Sequence, residues 1–245
     1  MDQEKPPPMD ESPLYLCAPI NAIVEGIYEE KIPIAQVKSH GDFGLGTFDH
    51  LDGEMVMLEG KTYQITSEGR VNKVEEEALT PFSCVTFYKP VRHAKLEREM
   101  SYAAFLEWIQ KLLPSPNICY AIRIDGQFDS IKARSVPKQE CYQACPPLVE
   151  VAERQPVFHF SDIEGTLAGF FTPVFMGSLN VPGLHLHFLS EDLKRGGHLL
   201  ECRPRRVHAG VQCIYTLELA LPRSLEYLSW DFRRDIYQDL SKAEK

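Results

Sequence analysis

The sequence predicts an α+β protein dominated by mixed or antiparallel sheet, arranged as two β-rich lobes with a few short helices. Short β-branched and aromatic runs recur between turn signals through most of the chain, and one span alone carries a sustained helical period. The stretch Pro137–Pro147 has strand-breaking prolines and no period, which suits a link between lobes. On this reading residues 1–13 are a flexible lead-in, 14–136 an N-terminal α/β lobe with mixed sheet, and 137–245 a C-terminal β-rich lobe.

The lead-in is acidic and carries Pro6, Pro7 and Pro8, so it has little apolar surface to bury. From Asn21, a candidate cap, Ile23, Val24, Ile27 and Tyr28 follow helical spacing, and a second short helix fits Ile34 to Lys38. Residues 41–48 are too rich in glycine for a helix yet interleaved with apolar side chains, which reads as a tight loop entering a strand. Glu54–Leu58 and Thr62–Thr66 form a hairpin meander around Glu59-Gly60-Lys61, and Phe82–Tyr88 continues the sheet. Between Ser101 and Leu113 the side chains of Ala104, Phe105, Trp108, Ile109, Leu112 and Leu113 share one stripe, and Pro114 ends the helix.

Beyond Pro116 the chain turns β-rich, with Cys119–Ile124, a turn at Asp125-Gly126 and Phe128–Ala133. Further strands are expected at Val157–Phe160, Gly165–Phe171, Leu184–Leu189, His198–Cys202 and Val211–Leu219. No repeat of 20 to 50 residues is visible.

The 245 residues are 44% hydrophobic and 25% charged, with 13 Phe and 10 Tyr, which is ordinary globular usage. A formal charge of -9 provides no domain-wide positive field for a phosphate backbone, which disfavours nucleic-acid binding. No apolar run approaches the roughly 20 residues of a membrane span, and the start lacks a signal-peptide pattern. The 7 cysteines are odd in number and irregularly spaced, so reduced thiols and a cytoplasmic location are expected.

The sharpest chemical signal is Pro182-Gly183-Leu184-His185-Leu186-His187-Phe188-Leu189, followed by Arg195-Gly196-Gly197-His198. Strand alternation puts His185 and His187 on one face about 7 Å apart, with the apolar residues on the other. The Gly196-Gly197 pair lets the chain reverse and bring His198 beside them. Three neutral imidazoles facing one point suit a zinc-type cation with an open fourth position. The plain alternative is three histidines on a solvated sheet face. His40, His50, His93, His159 and His208 are isolated and receive no role. Glu54 at a strand start, Arg134 at a strand end and the tail Asp239–Lys245 say little by themselves.

Six phrases, in order, resemble the bacterial-type acetolactate decarboxylase family. They are His40-Gly-Asp-Phe-Gly-Leu-Gly-Thr-Phe48, Leu51-Asp-Gly-Glu-Met55, Pro114-Ser-Pro-Asn117, Tyr120-Ala-Ile-Arg-Ile-Asp-Gly126, Arg134-Ser-Val-Pro-Lys-Gln139 and Pro182-Gly-Leu-His-Leu-His-Phe188. The resemblance implies a zinc-dependent carboxy-lyase that converts (S)-2-acetolactate to (R)-acetoin and CO2 through a metal-stabilised enediolate, without an organic cofactor. It implies Zn2+ on His185, His187 and His198, with Thr47, Glu54, Arg134 and, on a C-terminal tail that folds back onto the metal, Glu244 completing the active site. A homodimer in the cytoplasm is the implied assembly, with a small-molecule substrate and no nucleic-acid or membrane partner. A different reading rests on His185-x-His187-x3-Glu191, which resembles part of a cupin motif and would make the protein a metal-binding β-barrel dioxygenase or sugar-binding module. Glu191 would then be a fourth ligand; otherwise it caps the Ser190-Glu-Asp loop.

Overall fold

The computed structural model describes residues 12–29, 32–141 and 145–243. The expected lead-in therefore lies outside the described residues except for Ser12 and Pro13. In chain order the first elements are β1 (Leu14–Leu16), α1 (Ile20–Val24), β2 (Ile32–Pro33), α2 (Ile34–Lys38), β3 (Phe43–Thr47), β4 (Glu54–Leu58), β5 (Lys61–Ile65), β6 (Val71–Lys73), β7 (Leu79–Thr80), β8 (Ser83–Thr86) and β9 (Arg92–Leu96). They are followed by α3 (Tyr102–Leu112), β10 (Cys119–Arg134), α4 (Leu148–Ala152), β11 (Val157–Thr172), β12 (Gly183–Ser190), β13 (Gly196–Ile214), β14 (Leu217–Leu219), α5 (Leu225–Ser229) and α6 (Tyr237–Ala243).

A seven-stranded sheet has the order β14-β1-β8-β3-β4-β5-β6, and a five-stranded sheet the order β10-β11-β12-β13-β9. All pairings are antiparallel except β1 with β14. Strand β10 also pairs with β13, so the second sheet closes on itself. The α+β class thus holds. Strands on both sides of the Pro137–Pro147 segment share this second sheet.

Several boundaries differ from the sequence reading. Asp125-Gly126 is no turn: β10 runs through it, with Gly126 paired to Gly165 on one side and Val207 on the other. A Cβ there would sit 2.2 Å from the Arg206 carbonyl oxygen, so the glycine serves close strand approach and bulging instead of reversal. The two strands expected between Val157 and Phe171 are one, and β13 absorbs the gap expected between Cys202 and Val211. In α1 the cap position is Pro19, not Asn21. Helix α3 starts as the sequence implies, with the Ser101 hydroxyl accepting from the Ala104 amide. Cys141 and Cys145 form a disulfide with Cα atoms 5.4 Å apart, where reduced thiols were expected. Reasoning from compartment carries no information about two cysteines held at bridging distance by their own short segment.

One core cluster sits between the two sheets and joins Phe43, Leu45 and Val56 of the first to Ala121, Ala168, Phe170 and Leu189 of the second. Phe43 and Phe170 meet edge to face at 5.9 Å. Phe170 is 1% exposed, so truncating it to alanine costs about 3–5 kcal/mol. A second cluster fills the other side of the closed sheet, where α3 inserts Phe105 and Ile109. The sheets touch closely at two glycines: a Cβ on Gly169 would lie 2.9 Å from Leu45 Cδ2, and one on Gly196 would lie 2.8 Å from Ile65 Cγ1. That contact brings β3 and β4 within reach of β12 and β13.

Candidate metal centre

Alternation along β12 is as the sequence implies: Leu184, Leu186 and Phe188 pack into the second core, while His185 and His187 face the first sheet. His187 pairs directly with His198 across the β12–β13 hairpin. His185 Nε2 lies 3.2 Å from His187 Nε2 and 3.2 Å from His198 Nδ1. The three rings are buried, and one ligating nitrogen from each lies within 4.8 Å of the others. Nitrogens about 2.0–2.1 Å from one tetrahedral zinc stand about 3.3 Å apart, so these separations fit such an ion.

The second sphere fixes which nitrogen faces inward. His187 Nδ1 lies 2.8 Å from the Met55 carbonyl oxygen and donates its proton there, which leaves the Nε2 lone pair pointing at the other rings. Burial, with the Arg134 charge as a smaller contribution, lowers the His185 pKa to about 3. Burial and then the neighbouring His185 push His187 well below the ordinary histidine value. Neutral imidazoles are the ligand form. A carboxylate oxygen of Glu54, at the start of β4, stands 3.5 Å from His187 Nε2. A lone pair facing a carboxylate calls for a cation or a proton between them.

Arg134 ends β10 directly across from His198 and is 5% exposed. Its Nε has no hydrogen-bond partner among the described residues. Thr47, at the end of β3, donates its hydroxyl hydrogen to the Gly53 carbonyl at 2.7 Å, so toward the cavity it offers only lone pairs and a methyl group. His185, His187, His198, Glu54, Arg134 and Thr47 all line one small cavity of about 50 Å³. Glu244 lies outside the described residues.

The remaining wall is apolar: Ile20 and Ile23 of α1, Leu51, Phe82, Val136, and Leu148 and Ala152 of α4, none of which the sequence marks, and Ala243 of α6, on the tail that the resemblance folds back toward the metal. Gln155, just past α4, is the additional polar residue in that wall. No local sequence signal marks it. The C-terminal tail, which the resemblance folds back toward the metal, is helical through Ala243, with Leu240 and Ala243 in the main core. Glu191 is elsewhere, lining a separate cleft with Glu59 and Arg123. The loop after β12 is held instead by Ser190, whose hydroxyl donates to Asp192 at 2.6 Å and accepts from the Arg195 amide at 3.0 Å. The three histidines are the sole candidate ligand group among the described residues, so the cupin-type fourth ligand is absent from the centre.

Comparison with known proteins points the same way. The sequence profile of the family described as Alpha-acetolactate decarboxylase matches residues 14–234. The chain is 38% identical over 232 residues to the alpha-acetolactate decarboxylase of Methanosarcina mazei, covering 95% of this chain and 80% of that protein. It is 34% identical over 232 residues to the Bacillus licheniformis protein of the same name, covering 94% and 91%. The crystal structure of alpha-acetolactate decarboxylase from Bacillus subtilis superimposes with a TM-score of 0.91 at 31% identity, covering 95% of this chain and 99% of that one.

Proposed function

The chain belongs to the alpha-acetolactate decarboxylase family, and on that premise we propose a zinc-dependent carboxy-lyase that converts (S)-2-acetolactate to (R)-acetoin and CO2. The observation that carries the zinc reading is the convergence of three buried, neutral imidazoles with the His187 tautomer fixed by Met55. Zinc on His185, His187 and His198 would supply Lewis-acid stabilisation of the negative charge that develops as CO2 leaves.

The chain's own residues do the rest. Arg134, buried in the cavity wall with its Nε unpartnered among the described residues, grips the substrate carboxylate and orients the bond to be broken. The apolar wall of Ile20, Ile23, Leu148 and Ala152 keeps water from the carbanionic carbon. Loss of CO2 leaves an enediolate that takes a proton on carbon. Glu54, 7% exposed on the first-sheet side, holds a proton for that step, with Glu244 as the second candidate acid. Ile20 and Ile23 carry no transferable proton, and delivery from one side accounts for a single enantiomer. The reading extends to a homodimer, for which the exposed Phe175, Leu225 and Leu228 offer apolar surface.

The test is CO2 release from racemic 2-acetolactate with and without chelator, with chiral analysis of the acetoin. Chelator-sensitive release and (R)-acetoin support the reading; release that chelator leaves untouched contradicts it.

A further inference from the structure

Two residues of the cavity wall each carry a buried side-chain atom with no hydrogen-bond partner among the described residues: Arg134 at Nε, a donor, and Gln155 at Oε1, an acceptor. An orphaned buried acceptor is costly unless a ligand satisfies it. Arg134 matches a carboxylate. Gln155 is in the same wall, two residues before β11, and is held by the turn in which its amide donates to the Ala152 carbonyl.

A ligand that satisfies Gln155 Oε1 must bring a hydrogen-bond donor. In 2-acetolactate the carboxylate and the ketone oxygen only accept, and the hydroxyl on C2 is the single donor. We propose that Gln155 is a substrate-binding residue that accepts the hydrogen of the C2 hydroxyl and thereby selects 2-hydroxy-3-keto acids over 3-keto acids without that hydroxyl. The assignment rests on the proposed decarboxylase reading and adds to it the residue that recognises this group. A buried acceptor that only a hydroxyl satisfies discriminates against its absence more sharply than an apolar wall does.

The test separates hydroxyl recognition from general packing. Binding of 2-hydroxy-2-methylpropanoate and of 2-methylpropanoate, which differ in that hydroxyl, is measured by calorimetry on the zinc-loaded full chain and on Gln155→Met, Gln155→Leu and Gln155→Glu. Zinc content is measured alongside. In Gln155→Met and Gln155→Leu the preference for the hydroxy acid should fall about five- to tenfold relative to the unmodified protein. In Gln155→Glu both anions should bind more weakly, but the preference should survive because an acceptor remains. For 2-acetolactate, Gln155→Met should raise KM more than it lowers kcat. An unchanged preference in the folded, zinc-loaded Met and Leu variants overturns the Gln155 assignment and leaves the decarboxylase reading intact. An unmodified protein that holds no zinc and binds neither acid overturns both.

Discussion

Two clefts between the same pair of sheets treat polar groups in opposite ways. In the cleft of about 310 Å³ lined by Glu59, Arg123, Asp125 and Thr166, the groups satisfy one another. Arg123 Nε donates to both Asp125 oxygens at 3.0 Å, Arg123 Nη1 reaches Glu59 at 3.1 Å, and Thr166 donates to Asp125 at 2.6 Å. Glu59 is exposed and Arg123 and Asp125 are partly exposed, so solvent screens these pairs and they contribute little. In the imidazole cavity the polar groups are buried, kept neutral or left with an open valence. Size does not separate the two, because the larger cleft is the paired one. What separates them is whether a further molecule is needed to complete the hydrogen bonding and charge balance.

That contrast breaks most sharply at the histidines. His187→Ala removes a ligand and the tautomer lock together; zinc content should fall toward zero and turnover by about 10³-fold or more, read by elemental analysis and CO2 release. Arg134→Ala should lower turnover by about 10²-fold with zinc stoichiometry intact, and loss of zinc in that variant would contradict its assignment to the carboxylate.

A packing change tests how the first sheet reaches the site. Gly196→Ala places a Cβ 2.6 Å from the Phe188 carbonyl oxygen and 2.8 Å from Ile65 Cγ1. It should destabilise the protein by about 1–3 kcal/mol in thermal or denaturant unfolding.

The histidine site was legible in the sequence because its geometry is local. Alternation puts His185 and His187 on one face, and a hairpin with Gly196-Gly197 returns His198, so spacing along the chain is already spacing in space. Gln155 and the Met55 carbonyl were not legible, because they reach the cavity through sheet packing and helix docking that leave no periodic trace. Asp125-Gly126 was misread for a related reason. The dipeptide has turn chemistry, but hydrogen bonding from strands on both sides overrides it. The Cys141–Cys145 bridge escaped for lack of any pattern that distinguishes bridged from free cysteines four residues apart.

Two smaller effects sharpen the difference between buried and paired groups. Burial raises the Cys119 thiol pKa to about 11 from an ordinary value of 9, so the folded state holds its proton longer than the unfolded chain does. Its contribution is complete below pH 9 and is lost as pH rises toward 11. Denaturant unfolding of the unmodified protein and Cys119→Ala across that range should show a shallower alkaline decline in the variant. The paired cleft should respond least: Glu59→Gln is expected to change stability by less than about 1 kcal/mol and turnover not at all.

The most direct measurement is a titration of metal-stripped protein with zinc, following bound metal and CO2 release from 2-acetolactate in the same samples. Activity should rise in proportion to zinc and level off at about one ion per chain, with His187→Ala giving neither signal. Full activity in protein stripped of metal, or tight zinc binding that persists without His187, would contradict a catalytic ion held by these three rings.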